Sequence, residues 1–235
     1  MQNLLERKSY LYFDVIMALF VAVLLISNIA STKIIELGKF TFDGGTLIFP
    51  LSYIFGDILT EVYGYRKSRK VIWLGFFSIF LMSAVLMIVA FLPSPSDWPY
   101  SEAFKNILGM TPRIVLASLI AFFAGEFSNS FILAKLKIFT KGKYLWARTI
   151  GSTLIGEALD SVLFVFIAFA GVMPMNLLLA VFVSNYIFKC GVEILFTPLT
   201  YKVVGFLKKK EAEDFYDYNT NFNPFVLKED GEGLL

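Results

Sequence analysis

The chain reads as an all-α integral membrane protein with six transmembrane helices in two inverted three-helix repeats. Three observations lead there: six long apolar segments, a one-sided distribution of Lys and Arg, and a polar motif that recurs a hundred positions later. Hydrophobic residues make up 57% of the 235 residues. A soluble domain has about 45–50%.

A spanning helix needs about 20 mainly apolar residues. The segments 11–34, 46–63, 71–93, 112–136, 147–171 and 175–206 qualify. The second is short and carries Pro50, Gly56, Asp57 and Glu61. Together they predict one six-helix membrane domain over 1–207, with repeats at about 11–93 and 112–206. The polar tail 208–235 is expected to be flexible and cytoplasmic. The N-terminus MQNLLERKSY has no cleavable signal pattern.

The basic residues set the orientation. Arg7 and Lys8 precede the first span, and Arg66, Lys67, Arg69 and Lys70 follow the second. Lys135, Lys137, Lys141, Lys143 and Arg148 lie around the turn after the fourth. Lys202, Lys208, Lys209, Lys210 and Lys228 close the chain. The opposite side has only Lys33, Lys39, Lys105 and Arg113. The positive-inside rule then places both termini in the cytoplasm of a multi-pass cell-membrane protein, as an even number of spans requires. Loop 94–111 faces outward.

Composition excludes several chemistries. There is no His, and Cys190 is the single cysteine. This excludes zinc–histidine and cysteine–zinc sites, haem–histidine ligation, a Ser-His-Asp triad and an intramolecular disulfide. No cofactor is expected. The net charge of +2 does not suggest nucleic acid as a partner. The GxxxxGK[ST] motif is absent, so the chain does not hydrolyse ATP itself.

Six of the nineteen carboxylates lie within spanning segments: Asp57, Glu61, Glu126, Glu157, Asp160 and Glu193. Lys189 lies there too. A charge at the bilayer centre costs about 2.5–3.5 kcal/mol on insertion scales. Several such charges imply a polar cavity, as in a transporter, a channel or an intramembrane enzyme. An aspartyl protease of the GxGD type would need a glycine where Ile54 stands.

The repeat rests on two motifs. GDILTEV at 56–62 matches GEALDSV at 156–162, and Ser27-Asn28 matches Ser128-Asn129. Three spans per half is odd, so the halves cross in opposite senses, as in many secondary carriers. Asp57 and Glu61 are spaced i,i+4 and Glu157 and Asp160 i,i+3, so each pair shares a helix face. One member of each like-charged pair is expected to hold a proton. Glu61 and Asp160 are the candidates. Lys189 and Glu193, also i,i+4, read as an intrahelical ion pair. Asn28, Asn129 and Asn185 are candidate amide partners in the cavity. Phe49, Tyr53 and Phe127 are candidate stacking residues.

The runs SNIASTKI (27–34), FPLSYIFGDILTEVYGYRKSRK (49–70), GEFSNSFILAKLK (125–137), ARTIGSTLIGEALDS (147–161) and KCGVEILFTPLTY (189–201) resemble the queuosine precursor transporter family. That family belongs to the vitamin-uptake-transporter group, and the resemblance spans about residues 10–207. It implies import of a 7-deazaguanine: 7-cyano-7-deazaguanine, 7-aminomethyl-7-deazaguanine or queuine. A carboxylate can accept from the adjacent N–H and amino groups of a guanine-type edge at once. Asn can pair with its carbonyl, and aromatic rings can stack on it at about 1–3 kcal/mol per base. The expected substrate site is Asn28, Tyr53, Asp57, Glu61, Asn129, Glu157, Asp160 and Asn185. The alternative is a substrate-capture subunit of an energy-coupling-factor vitamin importer, which depends on a separate ATPase. The repeat favours a self-sufficient carrier, and the two same-face acidic pairs favour proton coupling, with facilitated diffusion as the alternative.

Overall fold

The structure is a computed structural model that describes residues 10–37, 40–109, 112–171 and 174–226. Arg7, Lys8, Lys39 and Lys228 of the charge pattern lie outside the described residues.

Among the described residues seven α-helices follow in order: α1 Phe13–Ala30, α2 Pro50–Tyr63, α3 Tyr65–Phe91, α4 Ser101–Leu108, α5 Pro112–Phe139, α6 Leu145–Phe169 and α7 Met175–Lys210. Five are long and apolar enough to cross a membrane: α1, α3, α5, α6 and α7. Their outer faces carry large apolar side chains such as Leu19, Phe77, Phe80, Ile88, Ile187 and Leu195. An exposed apolar belt of this kind suits lipid, where helices satisfy their own backbone groups.

α2 departs from the expectation of a sixth full span. Its fourteen residues reach about 21 Å at 1.5 Å per residue, short of a bilayer core of about 30 Å. Twelve of the fourteen are buried inside the protein. Pro50 starts the helix, where a missing N–H costs nothing. Gly64 ends it with φ +84, and α3 begins at the next residue. A Cβ on Gly64 would also stand 2.2 Å from the Phe215 ring.

A short hairpin adds to the expected helices. α1 stops at Ala30, and Ser31, Thr32 and Lys33 bond back to its last carbonyls. The chain then forms β1 Ile34–Leu37 and β2 Phe40–Asp43, antiparallel with Ile35 opposite Phe42. The β-branched pair Ile34-Ile35 suits a strand. Residues 44–47 form one 3₁₀ turn before α2.

The apolar core lies between α1, α2, α3 and α5, with Phe20, Leu24, Ile58, Ile72 and Phe122 at its centre. Residues 211–226 are not a loose tail. Phe215 N–H donates to Val62 O at 3.2 Å. Tyr65 N–H donates to the Asp217 carboxylate at 3.1 Å. Arg69 donates to the Asn221 and Asn223 carbonyls at 2.6 and 2.8 Å, and Trp73 Nε1 donates to Pro224 O at 2.8 Å. The sequence shows polar composition but not these backbone acceptors. Glu211 accepts from Leu11 and Tyr12 N–H at 3.0 and 2.7 Å. Residues 10–12 and 211–213 therefore meet at one end of the bundle.

Candidate functional site

Glycines bring the polar helices together. α5 and α6 cross at Gly125 and Gly156, where a Cβ on Gly156 would stand 3.0 Å from the Gly125 carbonyl. A Cβ on Gly125 would lie 2.3 Å from the Tyr53 hydroxyl and 2.9 Å from Asp160 Cβ. A Cβ on Gly56 would lie 2.9 Å from Glu126 Oε2. The glycine common to both motifs thus lets a neighbouring helix come close.

The polar residues sort into three levels. The first is a cavity lined by Asn28, Phe49, Ser118, Asp160, Asn185 and Lys189, among others. It lies at the end of the bundle opposite residues 10–12. Lys189 donates to Asp160 Oδ2 at 2.7 Å and stands 3.0 Å from Glu157 Oε2. Its ammonium also lies 4.4 Å from the Phe49 ring centre. Asn28 donates to Leu24 O at 2.9 Å and accepts from Ser118 at 3.3 Å. The cavity holds about 60 Å³, room for a few waters. A bicyclic ligand requires it to widen.

The second level is the buried middle of the bundle: Tyr53, Asp57, Glu126, Asn129, Glu157 and Glu193. Asn129 donates to Asp57 Oδ1 at 2.7 Å. Among the described residues, the Tyr53 hydroxyl, Asp57 Oδ2, Asn129 Oδ1 and both carboxylate oxygens of Glu126 and of Glu193 have no hydrogen-bond partner. The third level lies toward the chain ends. Glu61 Oε1 accepts from Arg148 and Lys208 at 2.7 Å each, and Lys137 stands 3.7 Å from it. Lys137 and Lys208 also hold Asp214 at 2.5 and 2.8 Å.

Of the expected substrate residues, the cavity wall includes Asn28, Asp160 and Asn185. Tyr53, Asp57, Asn129 and Glu157 lie deeper, and Glu61 lies with the cations at the far end. Two expectations change. Lys189 is not paired along its own helix with Glu193; it bridges α7 to Asp160 and Glu157 of α6. One ammonium there bridges two carboxylates that would otherwise repel, and offsets one of their two charges. Nor do Asp57 and Glu61 act as one like-charged pair, because three cations surround Glu61. Sequence reasoning left Glu126 out of the site. Its i,i+3 spacing from Asn129 was the available signal. Lys137, Arg148 and Lys208 read as orientation signals, since spacing does not separate a buried cation from one at the membrane surface.

Residues 43–203 match the family model described as "Putative vitamin uptake transporter". The chain belongs to this family. A relative from Bacillus subtilis, named "Probable queuosine precursor transporter", is 30% identical over 74% of this chain and 77% of its own length. One from Haemophilus influenzae with the same name is 26% identical over 53% of this chain and 51% of its own. The "Queuosine precursor transporter" of Escherichia coli is 25% identical over 53% of this chain and 54% of its own. The latter two alignments thus span about half of each relative. No solved structure matches the chain.

As a member of this family the chain is a multi-pass membrane transporter and not an enzyme. The family match runs from the end of the hairpin to α7 and takes in all six intramembrane carboxylates.

Proposed function

We propose that the chain imports a queuosine precursor, a 7-deazaguanine base, across the cytoplasmic membrane as a proton-coupled secondary carrier. The relatives' names support the substrate class. The observation that carries the reading is the acceptor-rich cavity: Asp160 with Asn28 and Asn185 faces the open end, above further buried carboxylates. A guanine-type edge offers two adjacent donors to one carboxylate. Asp160 is held by Lys189 at 2.7 Å, so the ligand's donors compete with that ammonium. The planar bicycle would lie against Phe49. Tyr53, Asp57, Glu157 and Asn129 then meet the base as it moves inward, and Glu61 closes the far end.

The same reading makes 1–207 one membrane domain with both chain ends in the cytoplasm. It also makes the halves inverted repeats. The Asp57–Asn129 bond then has a counterpart, Glu157–Asn28, which belongs to the opposite facing state. Here Asn28 bonds to Leu24 and Ser118 instead. Cysteines placed at 28 and 157 should cross-link in only one facing state. A pair that never cross-links removes the repeat.

Uptake of radiolabelled 7-cyano-7-deazaguanine and queuine into proteoliposomes tests the function. Saturable uptake, accelerated by an inward proton gradient and lost with a protonophore, is expected. Absence of uptake of either base in an otherwise intact protein would overturn the substrate class.

A further inference from the structure

We propose that the coupled proton resides on Glu126 and Glu193, backed by Asp57, rather than on the ion-paired Glu61 or Asp160. The inference rests on the proton-coupled reading above and names its site.

The six intramembrane carboxylates have unequal surroundings. Asp160 and Glu157 share Lys189, and Glu61 has Arg148, Lys137 and Lys208. Asp57 has the Asn129 amide. Glu126 and Glu193 have no cation among the described residues; the Ser52 hydroxyl lies beside Glu126 but donates to Phe49 O at 2.7 Å, and both carboxylates are at most 1% exposed. The groups facing Glu126 are Tyr53 and Asp57 from α2, Glu157 and Asp160 from α6, and Glu193 from α7. From α3, residues 71–91 contain no ionisable side chain, and α1 offers only Asp14, in its first turn. Glu193 faces Glu157 of α6 and Asp57 of α2, and Lys189 on its own helix is engaged by α6. Desolvated carboxylates so close to one another cannot all be charged without a cation.

Size selects that cation. The Glu126 carboxylate is pressed against Gly56, where a Cβ would come within 2.9 Å of it. Among the described residues no three carboxylates converge as a metal cage would. A proton needs neither room nor a cage. The unpartnered Tyr53 hydroxyl, at the Gly125–Gly156 crossing beside Asp160, is a second polar group turned into the same place. A route from solvent is at hand. Asp160 is on the cavity wall, and Glu157 stands one turn from it toward Glu193 and Glu126. A ligand that draws Lys189 away from Asp160 also strips Glu157 of its cation. That changes the field at Glu126 and Glu193, and so links base binding to proton binding.

The test uses the whole chain in proteoliposomes. Wild type, Glu126→Gln and Glu193→Gln are compared for uptake with and without an inward proton gradient, and for exchange of external against internal base. Each variant should lose the gradient stimulation and retain measurable exchange. If wild type itself ignores the gradient, proton coupling falls and this site with it. If wild type responds and both variants respond equally well, coupling stands and this assignment is overturned. Where a variant yields no exchange, wild type decides through a carbodiimide, which reacts with protonated buried carboxyls. Modification mapped to Glu126 or Glu193 and slowed at alkaline pH is the expected result. Modification confined to Asp160 or Glu61 overturns the assignment.

Discussion

Asp160 and Glu61 are both ion-paired, yet their substitutions should read differently. Asp160 faces the cavity, so Asp160→Asn removes a charged acceptor from the ligand. Binding of the base should weaken by about 1.5–3 kcal/mol, measurable by isothermal titration in detergent. Unchanged affinity would place the ligand elsewhere. Glu61 is fully buried among Arg148, Lys137 and Lys208. Glu61→Gln leaves those cations facing a neutral group, and breaking a buried pair costs about 3–5 kcal/mol. The expected outcome is a lower unfolding midpoint. A variant as stable as wild type would show that the cations do not depend on Glu61. Positions of single residues were partly legible in the sequence. A carboxylate in an apolar run announces itself, because lipid makes it costly. Its partner does not, because Lys137, Arg148 and Lys208 come from basic runs that also look like surface signals.

The helices themselves were legible from apolar length, and their ends less so. Segment 46–63 contained the right residues, but its first four are the end of a 3₁₀ turn and a further turn, leaving fourteen helical residues. The α5–α6 contact was not visible in apolar periodicity, since Gly125 and Gly156 carry no side chain to count. Gly156→Ala would put a methyl 2.9 Å from Asn129 Cβ and 3.0 Å from Tyr53 Cε1. Overpacking of this kind costs about 1–3 kcal/mol, and the thermal midpoint should fall accordingly. A neutral result would mean that the two helices are free to separate. The strap 211–226 also has a pH signature. Burial alone would raise the Asp214 carboxyl. Hydrogen bonds from Lys137 and Lys208 outweigh it and hold Asp214 below the usual carboxylate range. A depressed carboxylate stabilises the folded form above its unfolded value and loses that contribution as pH falls through its folded value. Strap docking should therefore weaken at acid pH in wild type, and Asp214→Asn should flatten that dependence. Trp73 emission reports it, since its indole N–H is bonded to Pro224 O. An acid response identical in both proteins would assign it to another group.

At the scale of the molecule, residues 10–12 and 211–213 share one end of the bundle, and the described basic runs lie there too. In the proposed orientation that end is cytoplasmic and loop 94–111 is outside. A cysteine introduced at the exposed Glu102, in a chain with Cys190→Ala, should react with an impermeant maleimide added to intact cells. Reaction only after permeabilisation would invert the topology. The strap adds a consequence for biogenesis. It follows α7 in the chain, so it is synthesised after every helix it binds. While α7 is still entering the membrane, Phe215 does not cover the turn at Gly64. Lys137 and Lys208 have Glu61 but not Asp214. Closing that end therefore awaits residues 211–226, after every helix they bind has been made.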